Sequence, residues 1–197
     1  MTESASLYAP FLGLGTLISS ALAVYGWRRR RLVPGGAAFT VFNVGVALWT
    51  GVYAVELNAT GSAAVFWANV VYLGIVLVPA SWLVFALRYA GRGDQVTKRL
   101  LALLFVEPVA TVLLAWTNPW HHWFRRGEQV EPTWEPGPAF WMHASYSYAL
   151  VLVGTVLIAR RARDGARPER RQAGILLVAA LAPWMSNAIY LLSLIHI

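Results

Sequence analysis

The stretch LNATGSAAVFWANVVYLGIVLVPASWLVFAL, residues 57–87, contains no charged side chain. A membrane-spanning helix needs about 20 consecutive and mostly apolar residues. The stretch is long enough for such a helix and for a short polar entry before it. Its apolar residues do not alternate with polar ones, as they would in a strand of a transmembrane barrel. The stretch therefore predicts a transmembrane α-helix.

Five further windows have the same character, and they set the fold class. They are residues 4–27, 32–55, 100–124, 136–159 and 172–197, and a single charge, Glu107, falls within them. We therefore predict an all-α, polytopic transmembrane helical bundle that forms one membrane domain over residues 1–197. Its six predicted spans lie at about 6–27, 36–56, 64–89, 100–117, 139–159 and 172–192.

The composition excludes an ordinary soluble domain. Hydrophobic residues make up 58% of the chain and charged residues 13%, whereas average domains have about 45–50% and about 25%. The net charge of +7 and the sequence pI of about 10.2 would suggest a nucleic-acid partner. The basic residues are, however, tied to helix ends and lack interleaved aromatic residues, so we predict no nucleic-acid partner.

The positions of the basic residues predict the orientation. All of them except Arg125 and Arg126 lie in the three loops that follow the first, third and fifth spans, within residues 28–31, 88–99 and 160–171. Positively charged short loops stay on the cytoplasmic side. We therefore predict a multi-pass protein of the plasma membrane with its N-terminus outside. The lipid bilayer is its first partner, and the basic loops also suit anionic headgroups.

Polar residues within the spans are the first candidates for function. Glu107 lies about 10 Å from the cytoplasmic surface, and Asn43 in the second span reaches a similar depth. An ionisable residue inside a membrane is a functional hypothesis by default. One interpretation is that Glu107 is protonated or extends toward the basic helix ends. The other is a hydrogen bond between Glu107 and Asn43 across the bundle.

A second polar layer is predicted toward the outside of the membrane. Polar side chains that hold helices together explain most layers of this kind, and the sharper alternative is an outward-opening pocket for a small molecule or an ion. The residues of this layer are Glu56, Asn69, Tyr72, Asn187 and Tyr190, and His121 is a further candidate at the outer end of the fourth span.

Three spans contain a proline that should kink its helix and could act as a hinge: Pro79, Pro108 and Pro183. A proline has no N–H to donate, so Pro108 leaves the carbonyl of Leu104 without its usual partner. Nothing in the sequence distinguishes a static bend from a moving one.

We predict no metal site, cofactor or catalytic residue. The chain has no cysteine, and the adjacent His121 and His122 would diverge by roughly 100° on a helix. Its one lysine, Lys98, lies in a loop, so a retinal Schiff base deep in a helix is excluded. Tryptophans near the loop of residues 117–137 are typical of an aromatic belt at the membrane interface. A hydrophobic lid over an outward-facing cavity is the alternative.

The order of motifs resembles the seven-helix N-terminal sensor region of membrane histidine kinases. The resemblance covers roughly residues 6–192. It is carried by WTGVYAVE at 49–56, VYLGIVLVPASWLVFALRYAG at 71–91, Glu107-Pro108 with Thr111, TNPWHH at 117–122, and Arg171-Gln172 followed by Pro183 and Tyr190. Each motif is weak alone, but five in the same order on matching spans are moderately specific.

The resemblance implies a sensory input module of a two-component system. Such a module detects a stimulus and passes a helix displacement to a cytoplasmic kinase domain in cis. It further implies a homodimer, and a small-molecule ligand is a candidate partner. A seventh helix and the kinase domains do not fit in 197 residues, so we expect a non-enzymatic chain truncated after the sixth helix. The alternative is a small multi-pass transporter or membrane enzyme, although no internal repeat supports it.

Overall fold

The computed structural model describes residues 2–127, 135–165, 167 and 170–178. The helices are α1 (Thr2–Arg29), α2 (Gly36–Glu56), α3 (Gly61–Ile75), α4 (Leu77–Tyr89), α5 (Lys98–Trp116), α6 (Asn118–His121) and α7 (Pro138–Asp164). Gly93–Gln95 forms a 3-10 turn, and residues 170–178 are helical. The strands β1 (Arg125–Arg126) and β2 (Glu135–Pro136) pair antiparallel.

The prediction of an all-α transmembrane bundle is confirmed. Within the described residues, five helical stretches are long and apolar enough to cross a membrane, and they coincide with the first five predicted spans. They are Ala9–Arg29, Gly36–Glu56, Gly61–Tyr89, Lys98–Trp116 and Pro138–Arg163. The predicted sixth span lies mostly outside the described residues, as do Pro183, Asn187 and Tyr190.

The uncharged stretch of residues 57–87 lies at the centre of the bundle. In Gly61–Tyr89, 67% of the most apolar window is buried inside the protein, against 17% in Ala9–Arg29. Helix α2 packs against α1 on one side and against α3 and α4 on the other. Helix α7 packs mainly against α4, and α5 contacts α3 and α7. Much of α1 and α5 is therefore left facing lipid.

Pro79 and Pro108 act differently on their helices. The ladder is interrupted at Val76, between α3 and α4, because Pro79 cannot donate to the carbonyl of Ile75. Helix α5 instead continues through Pro108. The helix is thus interrupted one turn before Pro79, and a kink or a moving hinge at either proline stays a prediction.

Close approach of two glycines fixes the crossing of α2 and α3. A Cβ atom on Gly74 would lie 2.6 Å from the carbonyl oxygen of Gly45 and 2.5 Å from the backbone nitrogen of Trp49. No real Cβ atom tolerates such distances, so the crossing requires glycine at this position. Small residues commonly allow such contact between transmembrane helices.

The bundle has two halves, each with its own hydrophobic core. The basic half is the half next to the arginine-rich loops, and its core contains Trp82, Phe85 and Leu83 with Phe39 and Phe42 packed against them. The loop-end half is the half next to residues 117–137. Its core is a smaller cluster of Tyr72, Val76, Ala115, Phe124 and Ala139.

Candidate functional site

Glu107 on α5 contacts a histidine on α7. Its Oε1 lies 2.8 Å from Nδ1 of His143 and accepts a hydrogen bond of 2.7 Å from the hydroxyl of Thr111. His143 is buried. Either the imidazole N–H donates to the carboxylate, or the carboxyl O–H donates to the imidazole. In both cases a proton is shared between two helices inside the membrane-spanning region.

Further hydroxyl groups surround the ring of His143. The Thr111 hydroxyl lies 3.5 Å from Nδ1, and the Ser147 hydroxyl lies 3.5 Å from Nε2. Both hydroxyl-bearing residues are buried. The second carboxyl oxygen of Glu107, Oε2, is buried and has no hydrogen-bond partner among the described residues. A carboxyl group protonated at Oε2 would still let Oε1 accept these bonds.

The carbonyl that Pro108 leaves without a ladder partner is taken by a neighbouring helix. The hydroxyl of Tyr146 on α7 donates to the carbonyl oxygen of Leu104 at 3.0 Å. Since residue 108 has no N–H, this carbonyl would otherwise be unsatisfied in an apolar medium. The carbonyl oxygen of Leu104 is therefore satisfied by a bond between α5 and α7.

These contacts form one continuous stripe, which we name the α5–α7 seam. On α5 it consists of Leu104, Glu107 and Thr111, and on α7 of His143, Tyr146 and Ser147. Residues three and four positions apart lie on the same face of a helix. The spacing on both helices thus aligns the polar groups along a single line of contact.

A buried arginine lies at the loop end of the bundle. The guanidinium of Arg125 donates from Nη1 to Oδ1 of Asn69 at 2.8 Å and from Nη2 to the carbonyl oxygen of Ala68 at 3.0 Å. It also lies 5.5 Å from the centre of the Tyr72 ring, a favourable cation–π distance. Arg125 is only 4% exposed, and its contacts include neutral dipoles and aromatic faces.

Tyr72 joins this arginine to the seam. Its ring packs edge-on against Phe124, with the ring centres 4.8 Å apart. The same ring lies 6.0 Å from the ring of His143. Contacts therefore run without interruption from Asn69 and Arg125 through Tyr72 to His143 and Glu107.

Asn118 gives the loop the shape that places Arg125. Its side chain is fully buried, and its Oδ1 accepts from the backbone N–H groups of Phe124 and Arg125, both at 2.9 Å. Its Nδ2 donates to the carbonyl oxygen of Arg125 at 3.0 Å. One amide group thus satisfies three backbone groups of a buried turn.

A comparison with protein families identifies the chain. Residues 11–197 match the family described as the N-terminal 7TM region of histidine kinase. The chain belongs to this family. The comparisons with curated proteins and with solved structures gave no match.

Membership supports the coarse functional prediction. This 7TM sensor region is a membrane protein and a sensory input region of a histidine kinase, and the family implies a cytoplasmic kinase domain in the intact protein. The match covers no catalytic domain. The lipid bilayer as a partner follows from the apolar helices.

One sequence-based hypothesis about the 7TM region is wrong. Asn43 and Glu107 do not bond to each other, because Nδ2 of Asn43 donates to the carbonyl oxygen of Phe39 and Glu107 contacts Thr111 and His143. Two residues at the same depth in the membrane need not lie on neighbouring helices or face each other. Helix α5 packs against α3 and α7, while α2 lies beside α1, α3 and α4.

Other candidates occupy separate places. Asn69 and Tyr72 both contact Arg125, which brings two predicted residues together. His121 closes its own loop, since Nε2 lies 3.0 Å from the Thr117 hydroxyl and Nδ1 accepts from the N–H of Trp123 at 2.9 Å. Glu56 is half-buried at the end of α2. A role for these residues in ligand sensing stays a prediction.

Two central residues of the 7TM region were missed by sequence reasoning. His143 sits five residues after the first residue of α7, and a histidine inside an apolar span was a signal that could have paired it with Glu107. In the sequence, Arg125 is one of two basic residues outside the three basic loops. Its burial depends on the turn built by Asn118, and nothing in the local composition reveals it.

No group of three or more histidine or acidic side chains able to hold a metal was found in the part of the 7TM region that the structure describes. The contacts of the seam are hydrogen bonds within α5 and between α5 and α7.

Proposed function

We propose that this 7TM region receives a stimulus in the membrane and transmits it to the cytoplasmic kinase by moving α7 relative to α5. The observation that carries the proposal is the α5–α7 seam, where an intramembrane acid and a histidine share a proton. A stimulus that changes this contact changes which arrangement of the two helices is favoured.

The two halves of α7 are held differently, which suits a pivoting motion. In the basic half, a Cβ atom on Gly154 would lie 2.7 Å from Cδ1 of Trp82, so α7 is in close contact with α4. In the loop-end half, α7 meets α5 through the polar seam. Closely packed contacts resist gradual deformation. We infer that the Trp82–Gly154 contact is the pivot and that the seam is the part that opens.

The proposed direction of transmission follows from the charges. In the orientation predicted by the basic loops, with the N-terminus outside the plasma membrane, α7 ends on the cytoplasmic side. Its last turn carries Arg161 and Arg163. A rotation of α7 about its contact with Trp82 would therefore displace the C-terminal end of α7, which leads into the loop that follows the fifth span.

The stimulus and the assembly of the protein are also part of this proposal. The Arg125, Asn69 and Tyr72 group lies where a small-molecule stimulus would act on the seam through the Tyr72–His143 contact. Pro79, Pro108 and Pro183 are proposed hinges. A homodimer is proposed because a helix displacement has to be read by a paired kinase. This chain itself is proposed to have no catalytic activity.

The test uses the protein expressed from the full coding region of the gene. It is assayed in membrane vesicles, with autophosphorylation from labelled ATP as the readout. We expect the wild-type protein to autophosphorylate. Glu107→Gln should change the basal rate of autophosphorylation about fivefold or more, which is the effect that typical coupling free energies between sites produce. The control is Thr50→Val, which removes a 2.8 Å contact with Thr16 between α1 and α2, away from the seam.

Two outcomes would contradict the proposal. Absence of autophosphorylation in the wild-type product would remove the kinase role. Equal rates in wild type, Glu107→Gln and Thr50→Val would remove the seam from the signalling path while leaving the family assignment intact.

A further inference from the structure

A small cavity lies in the basic half, away from the α5–α7 seam. Its volume is about 130 Å³, and it is enclosed by α1, α2, α4 and the helical residues 170–178. The lining residues are Leu22, Phe39, Phe42, Asn43, Trp82, Phe85 and Leu176. Four of these seven described side chains are aromatic and one is an amide, so this lining is mostly apolar.

Asn43 is the amide residue of the described cavity lining. The residue is 3% exposed, and its Nδ2 donates to the carbonyl oxygen of Phe39 at 2.8 Å. With Nδ2 engaged in this bond, Oδ1 is the amide atom that can accept a hydrogen bond. A ligand that carries a donor into the cavity would donate to this oxygen.

We propose that this cavity binds an uncharged, single-ring molecule with one hydrogen-bond donor, of the size and chemistry of a phenol. An apolar cavity of roughly 150 Å³ is known to accommodate benzene, so the volume suits one ring. The lining residues that the structure describes carry no charge, which disfavours ions. Aromatic walls favour tilted and edge-on ring contacts, and Oδ1 of Asn43 accepts from the ligand hydroxyl.

The route of entry is from the lipid. Leu22, which contributes to the wall from α1, is 39% exposed, so the edge of the cavity reaches the lipid-facing surface. Helix α1 is the least buried of the spanning helices, and in the described residues it packs chiefly on α2. A molecule dissolved in the bilayer can therefore enter beside α1 without crossing the central span.

This site goes beyond the proposed function, since binding requires neither a kinase nor a stimulus. The experiment reads binding directly and leaves autophosphorylation aside. The chain is reconstituted in lipid nanodiscs and titrated with 4-fluorophenol or fluorobenzene, with the fluorine NMR signal as the readout. Empty nanodiscs report the non-saturating partition of each probe into lipid.

We expect a saturable signal for 4-fluorophenol with wild-type protein. Asn43→Leu removes the acceptor at similar volume, so 4-fluorophenol binding should weaken about tenfold while fluorobenzene binding is retained. The retained fluorobenzene signal also shows that this variant is folded. Leu22→Trp fills the cavity and should abolish the saturable signal of both probes. Leu103→Trp, at a position 62% exposed on α5, should leave both unchanged.

Three results would overturn the proposal. The first is a signal that does not saturate above the empty nanodiscs. The second is a saturable signal that survives Leu22→Trp, which places the site elsewhere. The third is that Asn43→Leu weakens the binding of both probes equally, which would show that the amide does not recognise the ligand hydroxyl.

Discussion

The two halves of the bundle differ in how several of their polar side chains bond. In the basic half, Thr40, Asn43 and Ser81 each donate to a carbonyl of their own helix. In the loop-end half and the seam, polar side chains bond across helices, as in the Glu107–His143 and Arg125–Asn69 contacts. The indole of Trp82 is an exception in the basic half, because it donates across helices to the carbonyl oxygen of Val151 at 3.3 Å.

The difference shows how each half selects its helix neighbours. A side chain that bonds to its own helix is satisfied wherever that helix packs, so the basic half depends on shape, above all on Trp82 against Gly154. A bond across helices is satisfied by one partner only. Lipid tails are as apolar as leucine, so burial of apolar surface alone does not choose between neighbours.

The largest effect is expected from Arg125→Leu in the loop-end half. The substitution leaves Oδ1 of Asn69 and the carbonyl oxygen of Ala68 without their donor, and it removes the cation above Tyr72. We expect a loss of about 3 kcal/mol in the free energy of unfolding, since hydrogen bonds to charged groups contribute about 1.5–3 kcal/mol each. Unfolding by SDS in mixed micelles measures it. Arg126→Leu, an exposed neighbour on the same strand, is the matched control and should stay within about 0.5 kcal/mol.

The seam should respond next most strongly, through His143→Leu. This change leaves Oε1 of Glu107 with Thr111 as its remaining donor, and we expect a loss of about 2 kcal/mol in the same assay, near the upper end of interhelical hydrogen-bond values in membranes. Met142→Leu, at a position 72% exposed beside it, is the control. Equal stability of the two variants would show that the Glu107–His143 contact does not hold α5 against α7.

In the basic half, Gly154→Ala should have a smaller effect of a different kind. The added methyl group would lie 2.7 Å from Cδ1 of Trp82, and overpacking of this type costs about 1–3 kcal/mol. We expect about 1.5 kcal/mol and a shift in tryptophan fluorescence. Gly174→Ala is the control, because its Cβ would meet nothing within 4 Å. A stable Gly154→Ala protein would refute the pivot.

The smallest effect is expected from Tyr146→Phe, which removes the donor to the carbonyl oxygen of Leu104. The loss should be about 0.6–1 kcal/mol. In a Pro108→Ala background, the N–H of residue 108 can donate to the carbonyl oxygen of Leu104. Tyr146→Phe should then lower the free energy of unfolding by clearly less. A double-mutant cycle measures the difference. Additive losses would mean that the tyrosine does not substitute for the ladder bond.

Several elements of the fold were predictable because they depend on local chemistry. The uncharged windows located five described spans, since each window alone decides whether a helix can lie in lipid. The consequence of Pro108 was also predictable, because a missing N–H leaves Leu104 unsatisfied whatever the surroundings are. The break at Val76 follows from Pro79 in the same way.

The site was less predictable, since its residues come from separate helices and a loop. Glu107 was identified from its charge, but its partner was assigned by depth, and depth does not give the rotation of a helix about its axis. Arg125 illustrates a second reason. A buried cation is indistinguishable in composition from a surface one, and the turn around Asn118 makes it internal.

The sequence by itself determined that this chain is helical, spans a membrane and carries an ionisable group within it, because hydropathy and charge are properties of contiguous residues. Only the tertiary structure decided that Glu107 meets His143, that Tyr146 takes the carbonyl freed by Pro108, and that Arg125 lies on Tyr72. Those contacts depend on helix rotation and on the close approach of glycines, which many residues far apart in the chain set together.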